Sequence, residues 1–189
     1  MNAEGKELVP IKVLHDFVDR IERLGVEYML TGSMAMMSYS VYRYTADVDV
    51  VVELNIRDAT RIIAAFEPDY YVPHNSVRRA ISSERMFNII HQATAFKVDC
   101  IIRKSSDFQK NVFIRRRKVD FYGREIFIIT IEDLILSKLW WANDSHSDKQ
   151  LTDVKNLMRA GYDADYVRSW TDKLELTKLF NECLLEITA

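Results

Sequence analysis

Two carboxylates set two residues apart inside a run of valines constrain this chain more than any other feature of its 189 residues. The segment Ala46-Asp47-Val48-Asp49-Val50-Val51-Val52-Glu53 has the β-branched content of a largely buried strand. Side chains alternate along a strand, so Asp47 and Asp49 project to one face while Val48 and Val50 project to the other. Two like charges held side by side are costly, because burial and mutual repulsion both disfavour ionisation. A divalent cation reverses that cost. Without one, the pair simply bounds the strand and faces water.

Mg²⁺ is the natural cation for this pattern, with Mn²⁺ as a substitute, since it takes hard oxygen ligands from a few carboxylates and completes its shell with water and phosphates. A second strand, Lys97-Val98-Asp99-Cys100-Ile101-Ile102, is interrupted by one acid. If it neighbours the first strand, Asp99 supplies a third carboxylate. Upstream, Val26 to Leu30 reads as a strand that delivers the chain to Thr31-Gly32-Ser33, with a helix beginning behind it. Glycine lets backbone approach a ligand closely, a helix start offers free N–H groups, and the Ser33 hydroxyl adds a donor. Strand, turn and helix thus form a phosphate-handling element, and the acids a metal-handling one.

The rest of the pattern is mixed. Helical spacing runs from Pro10 to Leu24 and again around Ile62, Ile63 and Phe66, while Met86 to His91 and Ala95 to Ile102 read as a hairpin. A helix capped by Ser105 or Ser106 precedes a second hairpin, Val119 to Phe121 and Glu125 to Ile129, around Gly123. Thr130 caps the next helix, with Asp133 at the acidic position of a capping box. Helical patterns follow over Asp148 to Ala160, Asp163 to Trp170 and Asp172 to Ile187. The expected architecture is α/β in the α+β sense, a mixed sheet flanked by helices over residues 1–130, with a helical C-terminal region over 131–189.

Composition narrows the class of protein. Apolar residues make up 48% and charged residues 29%, with a formal net charge of -2. These values suit a folded domain and exclude a disordered or strongly basic chain. Cys100 and Cys183 supply neither a disulfide framework nor metal-ligand spacing, and the N-terminus has no signal-peptide pattern. No apolar run is long enough to span a bilayer, so a cytoplasmic setting without a membrane partner is expected.

Gly32-Ser33, Asp47-Val48-Asp49 and Asp99 together resemble the glycine-serine motif and carboxylate triad of the nucleotidyltransferase superfamily associated with DNA polymerase beta. The phrase Arg43-Tyr44-Thr45-Ala46-Asp47-Val48-Asp49, with Glu132-Asp133-Leu134 and Lys138 downstream, is similar more narrowly to small bacterial nucleotidyltransferases, including those of toxin and antitoxin pairs. The resemblance implies a magnesium-dependent transfer from a nucleoside triphosphate such as ATP to a hydroxyl acceptor, with protein or RNA as acceptor classes. It implies that Gly32 and Ser33 hold triphosphate, that Asp47, Asp49 and Asp99 hold metal, and that Asp99 helps activate the acceptor. Arg43 and Lys138 are then candidates for the triphosphate charge. The chain departs from the pattern in having one glycine at the turn and no evident acceptor-recognition domain. A catalytically silent module that binds a protein partner is the competing expectation.

Arg115-Arg116-Arg117-Lys118, with Arg103, Lys104 and Lys110, suits either a phosphate-rich partner or a charged strand edge. Lys138 suits either phosphate or a side chain that snorkels past its apolar neighbours. Trp140-Trp141 is expected to pack between helices. His15, His74, His91 and His146 have no convergent metal spacing.

Overall fold

The computed structural model describes residues 8–43, Thr45 and 47–188. The stretch before Leu8, inspected for a leader, and Tyr44 and Ala46 of the family-like phrase lie outside the described residues. Pro10 lies in the first turn of α1 (Val9–Arg23), whose buried stripe is Ile11, Val13, Leu14, Phe17, Val18 and Ile21. The chain then enters β1 (Tyr28–Thr31), a short helix α2 (Gly32–Met36) and, after a 3₁₀ turn, β2 (Asp47–Val52). Helix α3 (Ala59–Phe66), strand β3 (Tyr70–Tyr71) and helix α4 (His74–Ser82) lead to the hairpin of β4 (Met86–His91) and β5 (Phe96–Ile102). Helix α5 (Asp107–Ile114), capped by Ser106 on the Gln109 N–H, precedes a second hairpin, β6 (Arg117–Asp120) and β7 (Glu125–Ile128).

These strands form one mixed sheet in the order β3-β4-β5-β2-β1-β7-β6. β2 lies parallel to β5 and antiparallel to β1, so the two acid-bearing strands are immediate neighbours near the middle of the sheet. Val48, Val50 and Val52 of β2 share a face with Val98, Cys100 and Ile102 of β5, and all six are buried. Phe17 and Ile21 of α1 and Ile62 and Phe66 of α3 meet that face around Val52, Phe87, Ile89 and Cys100. This apolar layer holds the two strands in register. The opposite face carries the acids.

The chain divides into two compact units. One runs to Ala35 and resumes after Arg43 to Ile128, and contains the sheet with its helices. The other joins Met36–Arg43 to the chain from Ile129 onward. It holds α6 (Ile131–Ser145), α7 (Asp148–Arg159), α8 (Ala164–Lys173) and α9 (Thr177–Thr188). The last helix starts at Thr177 rather than at Asp172, because the chain turns through Glu175 with a left-handed φ of 58° between α8 and α9. Thr130 caps α6 as expected, accepting from the Asp133 N–H at 3.3 Å. Asp133 does not complete a capping box. Its fully buried carboxylate instead accepts from the Thr130 hydroxyl at 2.8 Å and from the Tyr166 hydroxyl of α8 at 2.6 Å, tying two helices together. No helix among the described residues is long and apolar enough to cross a membrane.

Candidate active site

The parallel pairing of β2 with β5 puts Asp47 beside Lys97 and Asp49 beside Asp99. Paired residues on neighbouring strands project to the same face, so the register brings Asp47, Asp49 and Asp99 together on one side of the sheet. The antiparallel neighbours extend the row, with Thr31 of β1 opposite Asp49 and Asn88 of β4 opposite Asp99. Asp99 is the most enclosed of the three acids, at 5% exposure. Its Oδ1 is buried and has no hydrogen-bond partner among the described residues. An unpaired buried carboxylate oxygen is expensive unless a cation or a proton donor approaches it. Asp47 is steadied from its own strand end, where the Thr45 hydroxyl donates to Oδ1 at 2.8 Å.

Gly32 adjoins this row from the β1–α2 turn with φ of 65°. A Cβ built on it would lie 1.9 Å from Oδ2 and 2.6 Å from Cγ of Asp49. Glycine is therefore required here twice, for its backbone conformation and for the space that the Asp49 carboxylate fills. Helix α2 has only five residues, so it contributes little of the dipole that a long helix offers an anion. What the turn supplies is close backbone approach and the hydroxyl of Ser33, a buried residue.

One neighbour went unread in the sequence. The Lys97 ammonium lies 2.7 Å from Asp99 Oδ2 and 3.6 Å from Asp47 Oδ2. The hydrogen bond to Asp99 raises its pKa above the usual lysine value, against a partial loss of hydration that acts the other way. Strand alternation was the available signal, since Lys97 stands two residues before Asp99 and so shares its face. Next to it, burial pushes the Cys100 thiol up, helped by the charge on Asp99.

The donor chemistry suits a hard divalent cation: carboxylate oxygens from two adjacent strands, one of them buried and unpaired. Among the described residues, however, no group of three or more His, Cys, Asp or Glu side chains is spaced to hold a metal ion as it stands. Asp47 and Asp99 stand around the Lys97 ammonium.

No protein-family model matches the sequence, and no curated protein matches it. Solved structures do. The solution structure of the antibiotic-resistance factor ANT(2'')-Ia is similar with a TM-score of 0.62 at 11% identity, over 91% of this chain and 94% of that one. The lincosamide antibiotic adenylyltransferase LnuA, bound to lincomycin, is similar with a TM-score of 0.53 at 16% identity, over 78% and 95%. An antigenic nucleotidyltransferase-like protein from Paracoccidioides brasiliensis gives 0.53 at 15% identity, over 80% and 75%. The chain has a nucleotidyltransferase fold.

Within this nucleotidyltransferase-fold chain, the other two candidates belong to the helical unit. Lys138 of α6 is buried and donates to Asp153 of α7 at 2.7 Å and to Gln150 at 3.1 Å. It does not snorkel to solvent. Arg43 joins the same carboxylate at 3.2 Å, so two cations share Asp153. The basic run is partly absorbed by its own surroundings. Arg116 lies over the Phe113 ring at 4.3 Å and pairs with Glu27, Lys118 pairs with Glu125, and Arg103 pairs with Glu53. Arg117 and Lys118 stand on β6, an edge strand, where charge discourages pairing with another chain. Trp140 and Trp141 are partly exposed on α6 rather than packed away.

Proposed function

We propose that this chain transfers a nucleotidyl group from a nucleoside triphosphate to a hydroxyl acceptor. The observation that carries the reading is the register of Asp49 with Asp99, with Asp47 on the same face and Gly32 against the Asp49 carboxylate. The nucleotidyltransferase fold supports the reaction class. Asp47, Asp49 and Asp99 would hold magnesium or manganese. Once bound, such an ion neutralises triphosphate charge and acidifies an attacking hydroxyl.

The chain's own groups have separate tasks in this reading. Ser33 donates to a phosphate oxygen, while Gly32 lets the backbone approach it. Asp99, through the unpaired Oδ1, accepts the proton of the acceptor hydroxyl. The new bond joins the acceptor oxygen to the α-phosphorus, the bond from that phosphorus to the bridging oxygen breaks, and pyrophosphate leaves. Arg43 and Lys138, which share Asp153, are the candidates of this reading for the triphosphate charge. The toxin and antitoxin subtype and a cytoplasmic setting belong to the same proposal. The acceptor is read as protein or RNA, and the two antibiotic-directed proteins of the same fold add small-molecule hydroxyls to the classes worth assaying.

One observation favours a second reading, a silent module that binds a protein partner: the Lys97 ammonium lies between acids that a metal would need. The test is incubation with each labelled nucleoside triphosphate, Mg²⁺ or Mn²⁺ and cell extract, followed by identification of the labelled product. Asp99→Asn is expected to retain nucleotide binding and to lose transfer by roughly 10²-fold or more. Equal transfer by both proteins removes Asp99 from the chemistry, and no transfer by the parent favours the silent module.

A further inference from the structure

The acid face contains one charged group that the proposed reaction does not use. Lys97 stands in register with Asp47 and two residues before Asp99, and its ammonium reaches both, at 3.6 and 2.7 Å. The other side chains that share this face in the registered stretch are uncharged: Met29 and Thr31 on β1, Val51 on β2, Ile101 on β5, and Met86, Asn88 and Ile90 on β4. The ammonium thus faces the carboxylates of Asp47 and Asp99. It sits where their negative potentials overlap.

We propose that Lys97 is a tethered cation of the acid face, which holds Asp47 and Asp99 together in the metal-free chain and has to leave them when a divalent ion binds. Metal loading is then an exchange of one cation for another. This inference rests on the metal-ligand reading of the three acids. Mg²⁺ takes carboxylate oxygens at about 2.0–2.1 Å and repels a neighbouring positive charge. An ammonium 2.7 Å from Asp99 Oδ2 therefore stands within a few ångströms of an ion on either oxygen of that carboxylate, where repulsion drives it away. Lys97 has a way out, because its side chain is 38% exposed while that of Asp99 is 6% exposed. The same tether explains how Asp47 and Asp99 stay close without metal.

The test measures Mn²⁺ binding to the full chain by electron paramagnetic resonance, together with thermal melting with and without Mn²⁺. Four proteins are compared: the parent, Lys97→Met, Lys97→Arg and Asp99→Asn. Lys97→Met is expected to bind Mn²⁺ more tightly than the parent by up to about five-fold, the scale of one displaced, partly exposed ion pair. It should melt lower than the parent without metal and gain more on its addition. Lys97→Arg keeps the charge and should bind no more tightly than the parent. If Lys97→Met does not fold alone, refolding on addition of Mn²⁺ supports the exchange, and failure to refold overturns it. Equal Mn²⁺ affinity in Lys97→Met and the parent, with weaker binding in Asp99→Asn, overturns the tether and leaves the metal-ligand reading standing. Absence of Mn²⁺ binding in all four overturns both.

Discussion

At Gly32 a single hydrogen separates a formed site from a broken one. Its φ of 65° costs any L side chain about 1–2 kcal/mol, and a methyl group would in addition overlap the Asp49 carboxylate. Gly32→Ala is therefore expected to lower unfolding free energy by more than the backbone cost alone and to displace Asp49. Urea unfolding measures the first effect, and loss of Mn²⁺-induced stabilisation the second. An unfolding free energy within about 0.5 kcal/mol of the parent, the ordinary range for substitutions away from special positions, would contradict this. Of these residues, the sequence made Asp47 and Asp49 legible because two acids in a valine run have no bland place in a buried strand. Gly32 was legible as a turn residue of a phosphate-handling element, but its contact with Asp49 was not, since that depends on β1 and β2 being neighbours. Lys97 was harder still: its meaning comes from the β2–β5 register, which nothing local specifies.

Elements followed from periodicity wherever an apolar stripe was clean, as in α1 and in the β4–β5 hairpin. They were less legible where the chain turns without Gly or Pro. The break between α8 and α9 passes through Leu174-Glu175-Leu176, residues that would also suit a continuous helix. Lys138 on α6 looked like an amphipathic exception because its partner, Asp153, sits on another helix. The pair is buried, at 5% and 3% side-chain exposure, and Arg43 is the third member at 23%. Removing Asp153 takes away the carboxylate that both cations share, whereas removing Lys138 leaves Asp153 with Arg43. Asp153→Asn is thus expected to cost about 3–5 kcal/mol, and Lys138→Met clearly less. Urea unfolding of both variants decides the order, and a larger loss for Lys138→Met would show that Arg43 does not neutralise Asp153.

At the scale of the whole molecule, the chain concentrates opposing demands on one sheet face. The apolar layer of β2 and β5 stabilises the fold, while the acids behind it place like charges side by side. Against three carboxylates the face carries one ammonium, which bonds Asp99 and approaches Asp47. Like charge gathered on one face is part of what the fold tolerates for the sake of the site, a trade-off common where function needs clustered charge. Asp49→Asn removes one negative charge with almost no change in volume. In the absence of divalent ions it is expected to leave stability unchanged or raise it, by up to about 1 kcal/mol. The parent should gain about 2.7 kcal/mol when Mn²⁺ is present at a hundred times its dissociation constant, whereas Asp49→Asn should gain little at the same concentration. Thermal or urea unfolding of both proteins, with a chelator and with Mn²⁺, crosses the two effects. The expected result is an inversion: the variant is at least as stable as the parent in chelator and less stable in Mn²⁺. If Asp49→Asn is destabilised in chelator and responds to Mn²⁺ as the parent does, Asp49 is a structural residue of the Gly32 turn and not a ligand.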